Sequence, residues 1–318
     1  MKNIALIDGE FIRSNTNFTE LINVLKTAFT SKSIEVPLRH HHNFSNPKEG
    51  IDSTLLIMPA WNPGKDLGVK IVTVSPNNGK YDLPSIQGSY IYMDAHKGMP
   101  KAILEAKELT LKRTAATSAL AASFLAKEDA SSMLMIGTGA LSVNLILAHA
   151  SIRPLREIFI WGRNFKKSIE ICDQLSAEKF NCHPVKTIEE IIGKVDIISC
   201  ATLSKDPLVL GKYLKDGQHI DLVGSFKKDM READDETIER SYVYLDSYQG
   251  GLKESGDIAI PIERGIIDKN DIKADLFELC DHKKEGRKSN SEITLFKSVG
   301  HALEDLSAAS YYYRKFKN

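Results

Sequence analysis

The sharpest chemical signal in this 318-residue chain is Gly137-Thr138-Gly139-Ala140-Leu141-Ser142. It follows a short apolar run, Met133–Ile136, and precedes a helix-like stretch, Val143–Ala150. Glycines between a strand and a helix let backbone N–H groups approach a pyrophosphate, and the helix N-terminus adds unpaired donors and partial positive charge. Gly137 allows the tight turn and Gly139 the close approach. Ser142 stands where a third glycine or alanine is usual, and is small enough to keep the helix close to the strand. Gly137, Thr138, Gly139, Ala140 and Leu141 are therefore expected to bind a dinucleotide. The end of the next strand discriminates between cofactors. Trp161-Gly162-Arg163-Asn164-Phe165-Lys166-Lys167 offers no carboxylate to a ribose 2′-OH, whereas Arg163, Lys166 and Lys167 could pair with a 2′-phosphate. NADP(H) is expected ahead of NAD(H), with NAD(H) as the alternative.

A dinucleotide enzyme also needs groups that orient a substrate. Arg39, Lys70 and Arg113 are the cationic candidates in the first third of the chain. Taken singly, each also fits a surface or ion-paired residue. Lys70, set between Val69 and Ile71-Val72, either faces solvent by alternation or serves a buried anion. His40-His41-His42 invites a metal, but successive side chains of an extended segment point to opposite faces and no further ligand spacing completes a set. No metal is expected. These histidines are instead placed to line a substrate pocket beside Arg39.

The elements that must position these residues change character along the chain. Residues 17–29 carry apolar side chains at helical spacing, and residues 53–58, 69–74 and 88–93 read as strands of a mostly antiparallel sheet or part of a barrel. Residues 108–126 form an alanine-rich helix, and the domain boundary falls within or just before it. From Ser131 strands at 133–136, 158–161, 195–199, 220–224 and 243–246 alternate with helices at 143–150 and 166–178, a pattern that implies a parallel sheet. Residues 293–312 read as one closing helix that folds back on the first domain. The expected fold is α/β: an α+β domain over 1–113 plus 301–318, and a Rossmann-type dinucleotide-binding domain over 114–300.

Composition bounds the function. Lys plus Arg and Asp plus Glu are 42 each, which removes the electrostatic case for a nucleic-acid or anionic-membrane partner. No apolar run approaches the roughly 18–20 residues that span a bilayer, and the N-terminus meets Asp8 and Glu10 with no signal-peptide core. Cys172, Cys182, Cys200 and Cys280 are scattered and read as reduced, inert thiols. A soluble cytoplasmic protein is expected.

Several ordered motifs resemble the ornithine cyclodeaminase/mu-crystallin family over nearly the whole chain. They are Met58-Pro59-Ala60, Gly68-Val69-Lys70, Leu83 to Gly88, Leu109 to Ala116, Gly137 to Gly139, Gly224-Ser225 with Arg231-Glu232, Gly256-Asp257, and Ile293 to Gly300 with Glu304-Asp305. The resemblance implies a homodimer in which N-terminal strands of both subunits build the dimerisation and substrate domain. It also implies that the C-terminal helix returns to that domain, and that Arg39, Lys70 and Arg113 clamp a substrate carboxylate.

Within that family, activities differ. The cyclodeaminase pattern has Glu-Leu-Met-Pro where this chain reads Leu56-Ile57-Met58-Pro59, and an acid–base Asp where this chain has Ser225. Deaminative cyclisation needs a base to free an amine, so losing both carboxylates favours the simpler reduction of a cyclic imine. The segments Gly224-Ser225-Phe226 and Met230 to Asp234 look most like the ketimine-reductase and pyrroline-2-carboxylate-reductase branch. The expected reaction is NAD(P)H-dependent reduction of 1-pyrroline-2-carboxylate, or of the piperideine homologue, to L-proline or L-pipecolate. Lys70 is a candidate proton donor, and Ser225 is expected to polarise a water or the imine nitrogen. The alternatives are an ornithine cyclodeaminase or alanine-dehydrogenase-like enzyme, and a crystallin-like NADPH-binding protein.

Overall fold

The computed structural model describes residues 4–318. The chain forms two compact units, one built by the residues up to Arg113 together with Ala302–Asn318, the other by Thr114–His301. In the first unit, β1 (Ala5–Ile7) leads to α1 (Gly9–Ser14) and α2 (Phe18–Thr30). The Asn17 side chain accepts the Glu20 N–H and so starts α2, which buries Leu21, Ile22, Leu25, Ala28 and Phe29 on one face. Then come β2 (His40–Phe44), β3 (Ser53–Asn62), β4 (Asp66–Val74), β5 (Ile86–Asp94) and β6 (Pro100–Glu105). They form a six-stranded sheet in the order β1-β6-β5-β4-β3-β2. All neighbours are antiparallel except β1 and β6.

Period-two alternation divides this sheet into two unlike faces. Ile7, Leu104, Tyr90, Lys70 and Met58 lie in one row across five strands, and all are buried. The adjacent row, Leu6, Ile103, Ile91, Val69 and Pro59, points the other way, with Leu6 72% and Ile103 37% exposed. α3 (Ala106–Leu125) follows β6 and carries the unit boundary after Arg113. Its small residues Ala115, Ala116, Ala119, Ala121 and Ala122 are fully buried, consistent with close packing of the helix.

The second unit runs β7 (Ser132–Ile136), α4 (Ser142–Ala150), β8 (Glu157–Trp161), α5 (Phe165–Gln174), β9 (Asn181–Val185), β10 (Ile197–Cys200) and β11 (His219–Leu222). It continues with α6 (Asp235–Glu239), β12 (Tyr242–Leu245), α7 (Tyr248–Glu254), α8 (Gly256–Glu263), β13 (Ala274–Asp275), α9 (Leu276–Cys280) and β14 (Thr294–Lys297). The eight strands are parallel throughout, in the order β13-β12-β14-β11-β10-β7-β8-β9. From β7 the chain first builds toward β9 and then, from β10, in the opposite direction. That reversal places the glycine loop after β7 at a topological switch point, where open α/β sheets bind ligands.

The last helix, α10 (Ala302–Lys317), belongs to the first unit. Here the sequence-based expectation of one helix over 293–312 is corrected. Residues 294–297 are β14, fully buried between β11 and β12, and Gly300 at φ +83° turns the chain before α10 begins. A short apolar run flanked by β-branched residues fits a central strand as well as a buried helix, and periodicity alone does not separate them. β9, also unforeseen, is a polar edge strand carrying Pro184, which hides it from pattern reading.

Candidate functional site

Lys70 shows how alternation places a charge. Its neighbours Val69 and Ile71 turn to the open face of the sheet, so its own side chain enters the buried face between Met58 and Tyr90. There Nζ donates to Asp305 Oδ1 at 2.9 Å and lies 2.8 Å from Oδ2. Arg113, from α3, donates through Nε to Asp305 Oδ1 at 3.0 Å and through Nη1 to Glu304 Oε2 at 2.6 Å. Both acids sit in the first turn of α10, where negative charge suits the helix dipole. Lys70 and Arg113 are 3% and 5% exposed, and Glu304 and Asp305 are fully buried.

The electrostatics of this cluster follow from burial and neighbours. Desolvation pushes the Lys70 ammonium down to about 8, with Asp305 working against the shift and Arg113 and Arg39 adding to it. Burial alone would raise the Asp305 carboxyl, yet the Arg113 and Lys70 charges prevail and hold it below its usual range. Arg39, half-buried just ahead of β2, acts on both Lys70 and Asp305. The three predicted cations therefore share one electrostatic site. Glu304 and Asp305 stood inside a recognised motif but had no assigned role. Their signal was an acidic pair opening a helix whose next residues are small or apolar.

Among the described residues, Asp305 is the one hydrogen-bond acceptor of the Lys70 ammonium. An ammonium has three N–H bonds and one carboxylate engages at most two of them, so at least one remains for an added anion. His40, His41 and His42 lie exposed on the edge strand β2, with the His40 and His42 rings 6.0 Å apart.

In the second unit, Gly137 has φ +120°, and a Cβ there would come within 2.6 Å of Ala201 O. Only glycine makes that turn. Gly139 is the complement: nothing lies within 4 Å of where its Cβ would stand, so its backbone is open to a ligand. Ser142 donates to Gly137 O at 2.8 Å and ties the loop to the start of α4, where no side chain caps the helix. Thr138, Ala140 and Leu141 complete this open cradle, which fits a pyrophosphate in both shape and donors. The Gly137 N–H donates to Trp161 O at 2.8 Å, and a Cβ on Gly162 would approach Thr138 Cγ2 to 2.5 Å. Gly162 thus lets the end of β8 lie against the loop. Arg163 and Lys166 follow it, both exposed, at the Asn164-capped start of α5.

Around the carboxyl ends of β10, β11 and β14 lies a buried polar brace that sequence reasoning missed. Glu232 Oε1 accepts from Thr202 N at 2.6 Å and Thr202 Oγ1 at 2.9 Å; Oε2 accepts from Gly224 N at 2.7 Å and Ser225 N at 3.2 Å. Asp257 Oδ1 accepts from Glu232 N at 2.7 Å and Ala233 N at 3.1 Å. Lys297 Nζ lies 3.2 Å from Asp257 Oδ2 and 3.9 Å from Glu232 Oε2, with all three side chains fully buried. Burial, reinforced by Asp257, raises the Glu232 carboxyl despite Lys297.

This brace also takes in Ser225. Its hydroxyl is fully buried, donates to Met230 O at 2.7 Å and lies 3.0 Å from Ser255 Oγ. In this arrangement the Ser225 hydroxyl closes the loop between Gly224 and Met230. The cysteines are all free; burial raises the Cys200 thiol most strongly. No helix among the described residues is long and apolar enough to cross a membrane.

A parallel sheet with an open glycine cradle at its switch point, joined in one chain to a unit holding buried cations, defines a dinucleotide-binding two-unit protein of the oxidoreductase type. The chain belongs to the ornithine cyclodeaminase/mu-crystallin family, whose profile matches residues 5–318. It is 39% identical to Protein SAR DEFICIENT 4 of Arabidopsis thaliana, over 96% of this chain and 95% of that one. It is 34% identical to the Delta(1)-pyrroline-2-carboxylate reductase of Colwellia psychrerythraea, over 96% of this chain and 97% of that one. Among solved structures, the Thermococcus litoralis Delta(1)-pyrroline-2-carboxylate reductase in complex with NADH and L-proline superposes with a TM-score of 0.91 at 33% identity, covering 98% and 97% of the two chains.

Proposed function

We propose that the protein reduces a cyclic imino acid, 1-pyrroline-2-carboxylate or its six-membered homologue 1-piperideine-2-carboxylate, to L-proline or L-pipecolate. The observation that carries this reading is the buried Lys70 ammonium, fixed by Asp305 with at least one N–H bond to spare, beside Arg113 and in the field of Arg39. A carboxylate placed there would gain charge-assisted hydrogen bonds in a dry setting. When bound in the Gly137–Leu141 cradle, the dinucleotide supplies a hydride for C2 of the imine. The ring nitrogen takes up a proton, from Lys70 or from solvent. Orientation is the main demand on the protein, and holding reactants at near-attack geometry contributes about 7–11 kcal/mol.

The departures at Leu56 and Ser225 support reduction over deaminative cyclisation. Neither position offers the base that an amine-releasing reaction needs. The exposed Arg163 and Lys166 support NADP(H) over NAD(H). The apolar open face of the first unit's sheet supports a homodimer, and the reading places the enzyme in the cytoplasm.

The test is coenzyme oxidation by the purified protein with 1-pyrroline-2-carboxylate, comparing NADPH with NADH. Pyruvate plus ammonia and L-ornithine serve as controls. Rapid oxidation with the cyclic imine alone is expected. Turnover of pyruvate plus ammonia or ornithine in its place would overturn the proposal, as would tight NADPH binding without turnover of any imine.

A further inference from the structure

We infer that Asp305 is a positioning residue for imine reduction: it aims the Lys70 ammonium and keeps it charged, so that the substrate carboxylate meets a cation already in place. The inference rests on the proposed reduction and concerns the same site.

Asp305 reaches both cations with one carboxylate. Oδ1 accepts from Lys70 Nζ and Arg113 Nε together, at 2.9 and 3.0 Å, while Glu304 takes Arg113 Nη1 at 2.6 Å. Every member is at least nine-tenths buried, so these distances are set by packing rather than by mobile surface side chains. Here Asp305, 2.9 Å from Nζ through Oδ1 and 2.8 Å through Oδ2, fixes the ammonium's direction and leaves at least one of its three N–H bonds for an added anion.

The surrounding charges show why the carboxylate is needed. Lys70, on β4, faces Arg113 from α3 and Arg39 from the segment ahead of β2, and both disfavour its proton. Tyr90, its cross-strand neighbour on β5, is fully buried and held neutral because desolvation raises its phenol well above the ordinary range. Glu304 is engaged with Arg113. Asp305 is thus the group that sustains the ammonium against burial and two like charges. Without it, Lys70 would release its proton at lower pH, and the substrate carboxylate would meet a neutral amine.

The experiment uses the full-length protein with Asp305→Asn, the charge-retaining Asp305→Glu, and Lys70→Arg. The isotope-labelled lysine Cε signal of Lys70, assigned by its loss in Lys70→Arg, is followed against pH by NMR, and kcat/KM for the cyclic imine is followed in parallel. NADPH affinity, set by the second unit, reports folding. In Asp305→Asn the Lys70 titration and the alkaline limb of kcat/KM should both move to lower pH. KM for the imine should rise about tenfold or more, as for a lost charge-assisted contact, with NADPH affinity kept. Asp305→Glu should restore the position of the limb, and Lys70→Arg, whose charge does not titrate, should remove it. An unmoved Lys70 titration in Asp305→Asn overturns the inference. A moved titration in a protein that reduces no cyclic imine supports the hold of Asp305 on Lys70 and overturns the proposed function instead.

Discussion

At the scale of the residue, function turns on which charges are buried and what they are left to do. In the proposed clamp Lys70 needs its proton to hold a carboxylate, and burial brings its pKa down to about 8. On that proposal the protonated lysine binds substrate, so kcat/KM for the imino acid should be flat near neutral pH and fall as pH rises through about 8. A profile with no alkaline limb before the range of an ordinary lysine would contradict the assignment. Arg113 differs in kind, because its fork bonds Glu304 and Asp305 through separate nitrogens. Lysine cannot reproduce that geometry, and Arg113→Lys should raise the KM of the imine about tenfold or more. In the cradle, Arg163→Ala should weaken NADPH by about tenfold and leave NADH nearly unchanged, since only the former carries the 2′-phosphate. Parallel titrations of the two coenzymes read this directly. The glycine turn was legible because its residue types and its place between strand and helix carry the chemistry, whereas the grouping of Arg39, Lys70 and Arg113 came from the family resemblance. The roles of Glu304 and Asp305 were not legible, because no spacing rule links position 70 or 113 to position 305. The bond from the Ser225 hydroxyl to Met230 O was equally illegible, because it depends on how the loop after β11 folds.

At the scale of the element, the brace shows how the loops around the cradle are held. Glu232 ties the loop after β10, through Thr202, to the loop after β11, through Gly224 and Ser225. Close approach makes this possible, since a Cβ on Gly224 would lie 2.0 Å from Thr202 O. Lys297 supplies the cation opposite Asp257 and Glu232, from the last position of β14. Removing one partner of a buried ionic cluster costs about 3–5 kcal/mol. Lys297→Met should therefore lower unfolding stability by about that amount and loosen both loops, as read by denaturant titration and by faster amide exchange at Thr202 and Gly224. Unchanged exchange at those amides would show that the brace does not set the loops. The same element marks the limit of pattern reading. Ile293-Thr294-Leu295-Phe296 is apolar enough for a buried helix, and only the sheet around it, with β11 on one side and β12 on the other, makes it a strand. Long amphipathic or alanine-rich segments such as α2 and α3 had no such competitor, and their positions were readable to within two residues.

At the scale of the whole molecule, the open face of the first unit's sheet requires an explanation. Its buried face is closed by residues such as Ile7, Leu104, Tyr90 and Met58, all at 5% exposure or less. The opposite row presents Leu6, Ile103, Ile91, Val69 and Pro59, and the next row adds Ile57 and Ile71, the latter 37% exposed. Isolated apolar residues on a surface are ordinary, but a contiguous apolar face on a sheet is a contact surface. Charged gatekeepers would be the alternative means of protecting such a sheet; the first row carries none, and the second meets polar residues only at His40, Ser89 and Glu105. In the homodimer proposed above, a second copy of the chain would cover it, because a symmetric pair presents the same patch to itself and closes without leaving either face exposed. A lasting contact of this kind buries at least about 1,000 Å², so one charge near its centre should break it. Ile71→Glu and Ile103→Glu are accordingly expected to convert a dimer into monomers in light scattering, with the dinucleotide affinity of the second unit retained. A wild-type chain that runs as a monomer at every concentration, or glutamate variants that stay dimeric, would place the partner on another face.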